Sequence, residues 1–246
     1  MTTTSEKAGD RRASPTAPTS PLVWGAIAGP VLLTVAWVVL GLLVPPRVTE
    51  YGVQGGVQGT ITSPISGIGV GPHAGWFNAA FIISGLLTIV GVLAAFRSLR
   101  GTAAPRRLRR QALALCLSPL GFVVAGLFTL ADSVPLHMMG FLLVAGTPLI
   151  SFVTAGRLFR TMPGWQRFGA WLIAAAPLTL LLTLWFLLSF QRETIAAGQG
   201  VAGIPSRLLA LELGAYYTAL GAIVLQRPAA KRGHSEWRRS AKRRLD

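Results

Sequence analysis

The sequence has little charge, and very little of it is negative. Only 13% of its 246 residues are Asp, Glu, Lys or Arg, and just eight are acidic, whereas 52% are hydrophobic. Soluble domains usually carry about a quarter charged residues. A soluble fold would have no place for so many apolar side chains, so the composition excludes an ordinary soluble globular protein.

Cysteine and histidine are also scarce. The single cysteine, Cys116, excludes a disulfide within the chain. The histidines stand alone in separate segments, and no His-Glu-x-x-His motif is present. The chain also has no Gly-x-Ser-x-Gly nucleophile motif. We therefore expect no bound metal or cofactor, and the lack of a catalytic motif favours a non-enzymatic protein.

What the sequence does contain is six long apolar runs. Each is long enough to cross the roughly 30 Å hydrocarbon layer as a helix. The runs are about twice as long as the strands of a membrane barrel and lack their alternating polarity. We therefore predict an all-α integral membrane bundle of six transmembrane helices in residues 22–226, with spans at 22–44, 76–96, 112–131, 136–156, 168–190 and 208–225.

Proline and glycine recur inside these runs. In a membrane bundle, neighbouring helices can satisfy the carbonyls that a proline frees. We therefore predict that the helices continue through Pro30, Pro119, Pro148 and Pro177. Small residues let membrane helices approach closely. On that ground we predict helix contacts at Gly85, Gly91, Gly121, Gly126, Gly140 and Gly146.

The basic residues predict the orientation. Twenty Lys and Arg flank the runs on one side, and three flank them on the other. The positive-inside rule places the side with twenty in the cytoplasm. We therefore predict a multi-pass protein of the cell membrane with both termini cytoplasmic. Residues 1–21 are predicted to be a disordered tail, because they are rich in Thr, Ser, Pro and Ala.

Residues 227–246 form a basic tail, and its charge predicts that the tail contacts the lipid bilayer. Basic residues directly after a membrane span attract anionic lipid headgroups, at about 1 kcal/mol each. We predict such contacts with the bilayer for Arg238, Arg239, Lys242, Arg243 and Arg244. No nucleic-acid recognition fold accompanies the charge, so we expect no nucleic-acid partner.

The connection between the first two runs, residues 45–75, is long and rich in glycine. Long loops in compact proteins are often binding loops or lids. We predict that residues 60–75 fold back over the outer mouth of the bundle, with Ile65, Ile68 and Val70 packed inward. Its candidate binding residues are Ser63, Pro64, Ser66 and Gly69.

Polar residues gather at the outer ends of the predicted helices. Ionisable groups at such positions are costly and therefore mark candidate sites. The predicted outer-face polar site comprises His73, Asn78, Asp132, His137, Arg207 and Glu212. An ordinary structural role is open for two of them: Asp132 would cap the fourth helix, and Arg207 would extend outward to the headgroups.

Glu212 is the one acidic residue placed well inside a predicted span. A carboxylate that faces lipid at this depth costs roughly 2.5–3.5 kcal/mol. We therefore predict that Glu212 faces the bundle, either protonated or paired with an Arg or His of another helix. His137 is the first choice of partner, because its helix also begins on the outer side.

The sequence also resembles a family of bacterial and archaeal membrane proteins, the domain of unknown function 998 family. The resemblance covers residues 22–226 and rests on Ser-Pro-x-Ser-x-x-Gly at 63–69, Trp76-Phe77-Asn78, Asp132 with His137, and Arg207. It implies a membrane-embedded helical bundle with no assigned chemistry, so the resemblance supports the topology and leaves the function open.

Two classes of function remain open. The first is a non-enzymatic binding or accessory component that works through the outer loop and the bundle. The alternative is a small transporter, or a membrane-embedded enzyme acting on a lipid-borne substrate at the outer leaflet. A transporter should carry polar residues near mid-membrane, a depth that only Glu212 approaches. An enzyme should bring two titratable groups together in one pocket. The first class is favoured.

Overall fold

The computed structural model describes residues 20–49 and 51–242, with all of their side chains except those of Arg192 and residues 228–242. Within these ranges the chain forms eight α-helices and one small β-hairpin. The helices are α1 (Gly25–Leu42), α2 (Gly56–Thr62), α3 (Ala74–Ser98), α4 (Pro105–Leu127), α5 (Val134–Arg160), α6 (Gln166–Ser189), α7 (Arg192–Ala196) and α8 (Gly203–Lys242). The predicted disordered tail lies outside the described residues, except for its last two.

Six of these helices are long and apolar enough to cross a membrane. They are α1 with the 3-10 turn before it (Pro21–Leu42), α3, α4, α5, α6 and the first part of α8 (Gly203–Arg227). The predicted all-α bundle of six spans is confirmed, and the protein is a multi-pass membrane protein. The helices also run unbroken through Pro30, Pro119, Pro148 and Pro177, as predicted.

The helix ends differ from the predicted span ends, most clearly in α4. This helix begins at Pro105, seven residues before the predicted span, because proline is well suited to the first turn. It ends at Leu127, four residues early. The chain turns there because the Asp132 carboxylate accepts hydrogen bonds from the backbone nitrogen (3.1 Å) and the hydroxyl (2.7 Å) of Thr129.

The six spans form a closed ring. Each packs against the next along the chain, and α8 closes the ring against α1. We call one end of the ring the loop end; it carries the connections 43–73, 128–133 and 190–202. The opposite end carries the connections 99–104 and 161–165 and most of the arginines, and we call it the arginine-rich end.

Glycines set the distances between neighbouring spans. A β-carbon at Gly91 of α3 would overlap the backbone nitrogen of Ala26 in α1, and one at Gly140 of α5 would lie 2.9 Å from the backbone nitrogen of Ala125 in α4. The predicted helix contacts are confirmed at Gly85, Gly91, Gly121, Gly126 and Gly140. The prediction is wrong at Gly146, because a β-carbon there would meet nothing within 4 Å.

The long first connection is more ordered than the sequence indicates. It contains a hairpin of β1 (Arg47–Thr49) and β2 (Gly52–Gln54), then α2, then a 3-10 helix at Ile65–Val70. We call residues 56–70 the lid. Ile65 and Ile68 are buried as predicted, whereas Val70 is only partly buried, and Ser63 is 0% exposed. The lid therefore packs on the loop end of the bundle.

The last helix extends beyond its span. α8 continues as a helix to Lys242, so the predicted basic tail begins as helix. The side chains of Arg238, Arg239 and Lys242 lie outside the described part of the chain, as do Arg243 and Arg244 entirely. Their predicted contact with lipid headgroups stays a prediction.

Candidate functional site

A cavity of about 70 Å³ lies directly beneath the lid, and we call it the loop-end cavity. Every span contributes to its wall, and the lid contributes Pro64, Ile65 and Ser66. The wall is mainly apolar, because its largest side chains are Phe81, Phe122, Phe141 and Phe186. The cavity therefore lies inside the ring of helices, and the lid forms its wall at the loop end.

Three polar side chains reach this wall: those of Ser66, His137 and Ser206. His137 is only 6% exposed, and its Nδ1 lies 2.9 Å from the carbonyl oxygen of Phe128. A carbonyl can only accept, so Nδ1 carries the proton. This bond fixes the ring between the end of α4 and the first turn of α5. His137 is thus held in one orientation at the cavity.

Arg207 fastens the lid to α8. Its side chain is 6% exposed, and Nη1 donates to the carbonyl oxygens of Thr60 (2.7 Å), Ser63 (3.0 Å) and Gly203 (3.0 Å). The guanidinium also lies 5.5 Å from the ring centroid of Trp37, within cation–π range. The expectation that Arg207 extends outward to the headgroups is wrong, because the lid carbonyls of Thr60 and Ser63 accept its hydrogen bonds.

Two further side chains hold the lid in place. The hydroxyl oxygen of Ser206 accepts a hydrogen bond from the backbone nitrogen of Ile65 at 3.3 Å. Asn78 Nδ2 donates to the carbonyl oxygen of Gly69 at 3.1 Å. A β-carbon at position 69 would overlap that Asn78 side chain, so this contact requires glycine. The lid is therefore fixed from both α3 and α8.

Asp132 and His73 lie apart from the cavity. Asp132 is exposed, and the hydrogen bonds from Thr129 lower its pKa because they favour the charged form. It stabilises the turn between α4 and α5 and does not cap α5, where Ser133 is the N-cap residue. His73 is exposed at the start of α3 and makes no side-chain capping bond. The structure does not bring either residue into the predicted polar site.

Glu212 contacts α6, not His137. Its Oε1 accepts a hydrogen bond from the Thr179 hydroxyl at 2.8 Å, and its Oε2 is buried with no partner among the described residues. The prediction that Glu212 faces the bundle is confirmed, but the choice of His137 is wrong. Glu212 lies nine residues into α8 and His137 three residues into α5, so at 1.5 Å per residue their depths differ by about 9 Å.

Sequence reasoning missed several residues of the site. Ser206 holds the lid and lines the cavity, yet it is not among the predicted site residues. Trp37 and the four phenylalanines lie within apolar runs, where the sequence does not distinguish residues that line a cavity from residues that pack elsewhere. The one usable signal for Ser206 was its position directly before the candidate Arg207, because adjacent residues at a helix start lie at nearly the same membrane depth.

The arrangement is suited to binding more than to catalysis. The cavity offers apolar rings, two hydroxyls and one imidazole, a combination that fits an apolar chain carrying a small polar group. No cluster of three or more His, Cys, Asp or Glu side chains occurs among the residues that the structure describes.

Comparisons with known proteins find no matching family model, no matching curated protein and no matching solved structure.

Proposed function

We propose that this protein is a non-enzymatic membrane component that binds an apolar chain, such as the end of a lipid tail, in the loop-end cavity. The observation that carries the proposal is the cavity itself, which all six spans line and the lid covers. Its four phenylalanine rings favour an apolar occupant, and His137 and Ser66 offer hydrogen bonds to a polar group on it.

A binding role is favoured over an enzymatic one by the lining of the cavity. Acid–base catalysis needs two titratable groups within reach of one substrate. Of the described residues that line the cavity, His137 alone is titratable in the physiological range. Glu212 does not line it, and Asp132 is exposed at the turn. The lining therefore suits holding a ligand.

Orientation and family are part of the same proposal. The arginines at one end of the ring support a cytoplasmic position for that end in the cell membrane, with both termini inside and the lid outside. Membership of the domain of unknown function 998 family is proposed on its motif residues in the sequence, among them Ser63, Gly69, Asn78, His137 and Arg207.

Filling the cavity tests the binding role. Ala210 lines the cavity, so Ala210→Phe should occupy it and reduce crosslinking of a diazirine-bearing fatty acid about tenfold, which corresponds to about 1.4 kcal/mol. The matched control is Ala215→Phe, because Ala215 is on the exposed face of the same helix. Crosslinking is quantified by mass spectrometry of the purified protein. Equal crosslinking in both variants would contradict the proposal.

A small transporter is the second candidate, and Glu212 is the observation that favours it. Transporters place ionisable groups near mid-membrane. Glu212 lies near the middle of its span, and one of its carboxyl oxygens has no partner among the described residues. A buried carboxyl group at this depth costs stability, and a role in proton-linked transport would explain its presence.

Glu212→Leu separates the functional interpretation from a structural one. The leucine removes the unpartnered oxygen, and the Thr179 hydroxyl keeps the Ala175 carbonyl oxygen at 3.0 Å as its acceptor. We expect the thermal unfolding midpoint in detergent to rise by roughly 2–4 °C, for about 1 kcal/mol gained. Glu212→Gln is the isosteric control and should unfold near the wild-type temperature. A lower midpoint for the leucine variant would assign Glu212 to structure.

A further inference from the structure

A second cavity, of about 320 Å³, lies between α4 and α5 at the arginine-rich end. It is at the opposite end of the bundle from the lid, and the proposed binding of an apolar chain does not involve it. We call it the arginine cleft. The side chains that define it are Arg107, Arg110, Gln111, Thr154, Arg157 and Thr161.

The cleft presents hydrogen-bond donors that lack acceptors. The guanidinium groups of Arg107, Arg110 and Arg157 donate to no acceptor within the described part of the chain. Gln111 is 8% exposed, and its Oε1 accepts from the Thr154 hydroxyl at 3.0 Å. The Gln111 amide nitrogen has no hydrogen-bond acceptor among the described residues. Such a donor set is complementary to an anion that only accepts.

The described acidic side chains do not reach the cleft. They are Asp132, Glu193 and Glu212. Asp132 and Glu193 lie in or beside connections at the loop end, and Glu212 lies near the middle of its span. The three guanidinium charges therefore find no compensating carboxylate in residues 20–49 and 51–227. An anion from outside the bundle would supply that compensation.

We propose that the arginine cleft binds a phosphate group. The guanidinium fork donates two parallel hydrogen bonds to phosphate oxygens, and phosphate is an acceptor of matching geometry. The cleft has the volume of about ten water molecules at roughly 30 Å³ each, enough for a phosphodiester with its first substituents. Its arginines occupy the first two turns of α4 and the last turn of α5, which is the depth of lipid headgroups.

The phosphate can belong to an anionic phospholipid or to a soluble anion, and one experiment distinguishes them. The full chain is purified in neutral detergent, and binding of phosphatidylglycerol is measured by native mass spectrometry, with phosphatidylcholine as the zwitterionic lipid. Inorganic phosphate is added as a competitor. Displacement by millimolar phosphate identifies a soluble anion as the occupant. Retention of phosphatidylglycerol identifies the lipid headgroup. Either result supports a phosphate site.

The variants test the cleft itself. Arg110→Gln with Arg157→Gln should weaken phosphatidylglycerol binding roughly thirtyfold. The matched control is Arg106→Gln with Arg160→Gln, which removes the same charge at the same end from arginines that are exposed like those of the cleft but do not line it. It should change binding less than threefold. Gln111→Leu changes no charge and should weaken binding about tenfold, because a donor is lost.

Two results would overturn the proposal. The first is an equal loss in the cleft pair and the control pair, which would show a general effect of charge. The second is wild-type binding by Gln111→Leu together with wild-type binding by the cleft pair. Arg110→Lys keeps the charge but lacks the guanidinium fork, so its affinity for phosphatidylglycerol should fall about fivefold. This single variant keeps the proposal testable even if the double variant does not fold.

Discussion

Replacing Gly91 with alanine is expected to lower the thermal unfolding midpoint of the protein by about 6 °C or more. A β-carbon at this position would overlap the backbone nitrogen of Ala26, and no flexible side chain lies between the two helices to move aside. α1 must then separate from α3, at an overpacking cost of about 3 kcal/mol. For a chain of this size each kcal/mol corresponds to roughly 2–4 °C. The midpoint is measured on purified protein in detergent.

Gly146→Ala is the matched control, because it makes the same chemical change in another span. A β-carbon there would meet no atom within 4 Å, and alanine is favoured over glycine inside helices. We expect a midpoint equal to or slightly above that of the wild type. An equal fall in both variants would contradict the assignment of Gly91 to a close helix contact, since both changes would then act through the helix alone.

The six spans could be predicted because apolar runs of this length have one stable form in a bilayer. The helix ends could not, because helices continue past the hydrocarbon layer. Pro105 begins α4 among arginines that precede the apolar run, and α8 continues to Lys242. Hydropathy marks the membrane layer, whereas capping and turn chemistry mark the helix ends.

The candidate site was predicted in part. His137 and Arg207 were identified as candidates, because buried ionisable groups in a membrane protein are rare. The role of Arg207 was wrong because its acceptors, the carbonyls of Thr60 and Ser63, are 147 and 144 residues away along the chain. Backbone carbonyls are present at every residue, so no sequence pattern marks the ones that a side chain will find.

Replacing Arg207 with leucine is expected to release the lid while the six spans stay packed. The substitution removes a buried guanidinium and leaves the carbonyls of Thr60, Ser63 and Gly203 without this donor. Hydrogen bonds to charged groups contribute roughly 1.5–3 kcal/mol each and are not additive, so we expect a loss of about 3 kcal/mol. That loss raises the open fraction of the lid on the order of a hundredfold.

Arg227→Leu is the matched control for this change. Arg227 is also on α8, but at the arginine-rich end, where it donates to the carbonyl of Gly164 and lies 4.0 Å from the ring centroid of Trp165. Its replacement loses one hydrogen bond and one cation–π contact without touching the lid. We therefore expect the lid to stay closed in this variant.

The reactivity of a thiol at position 63 tests most directly whether the lid is closed and held by Arg207. In a Cys116→Ala background, Ser63→Cys places the thiol where the wild-type side chain is 0% exposed, and Val57→Cys places one where it is 70% exposed. With Arg207 present, a bulky maleimide should react with the thiol at position 63 on the order of a hundredfold more slowly than with the one at position 57. Arg207→Leu should remove most of that difference, and Arg227→Leu should leave it. Equally fast reaction at both positions in the presence of Arg207 would contradict a closed lid.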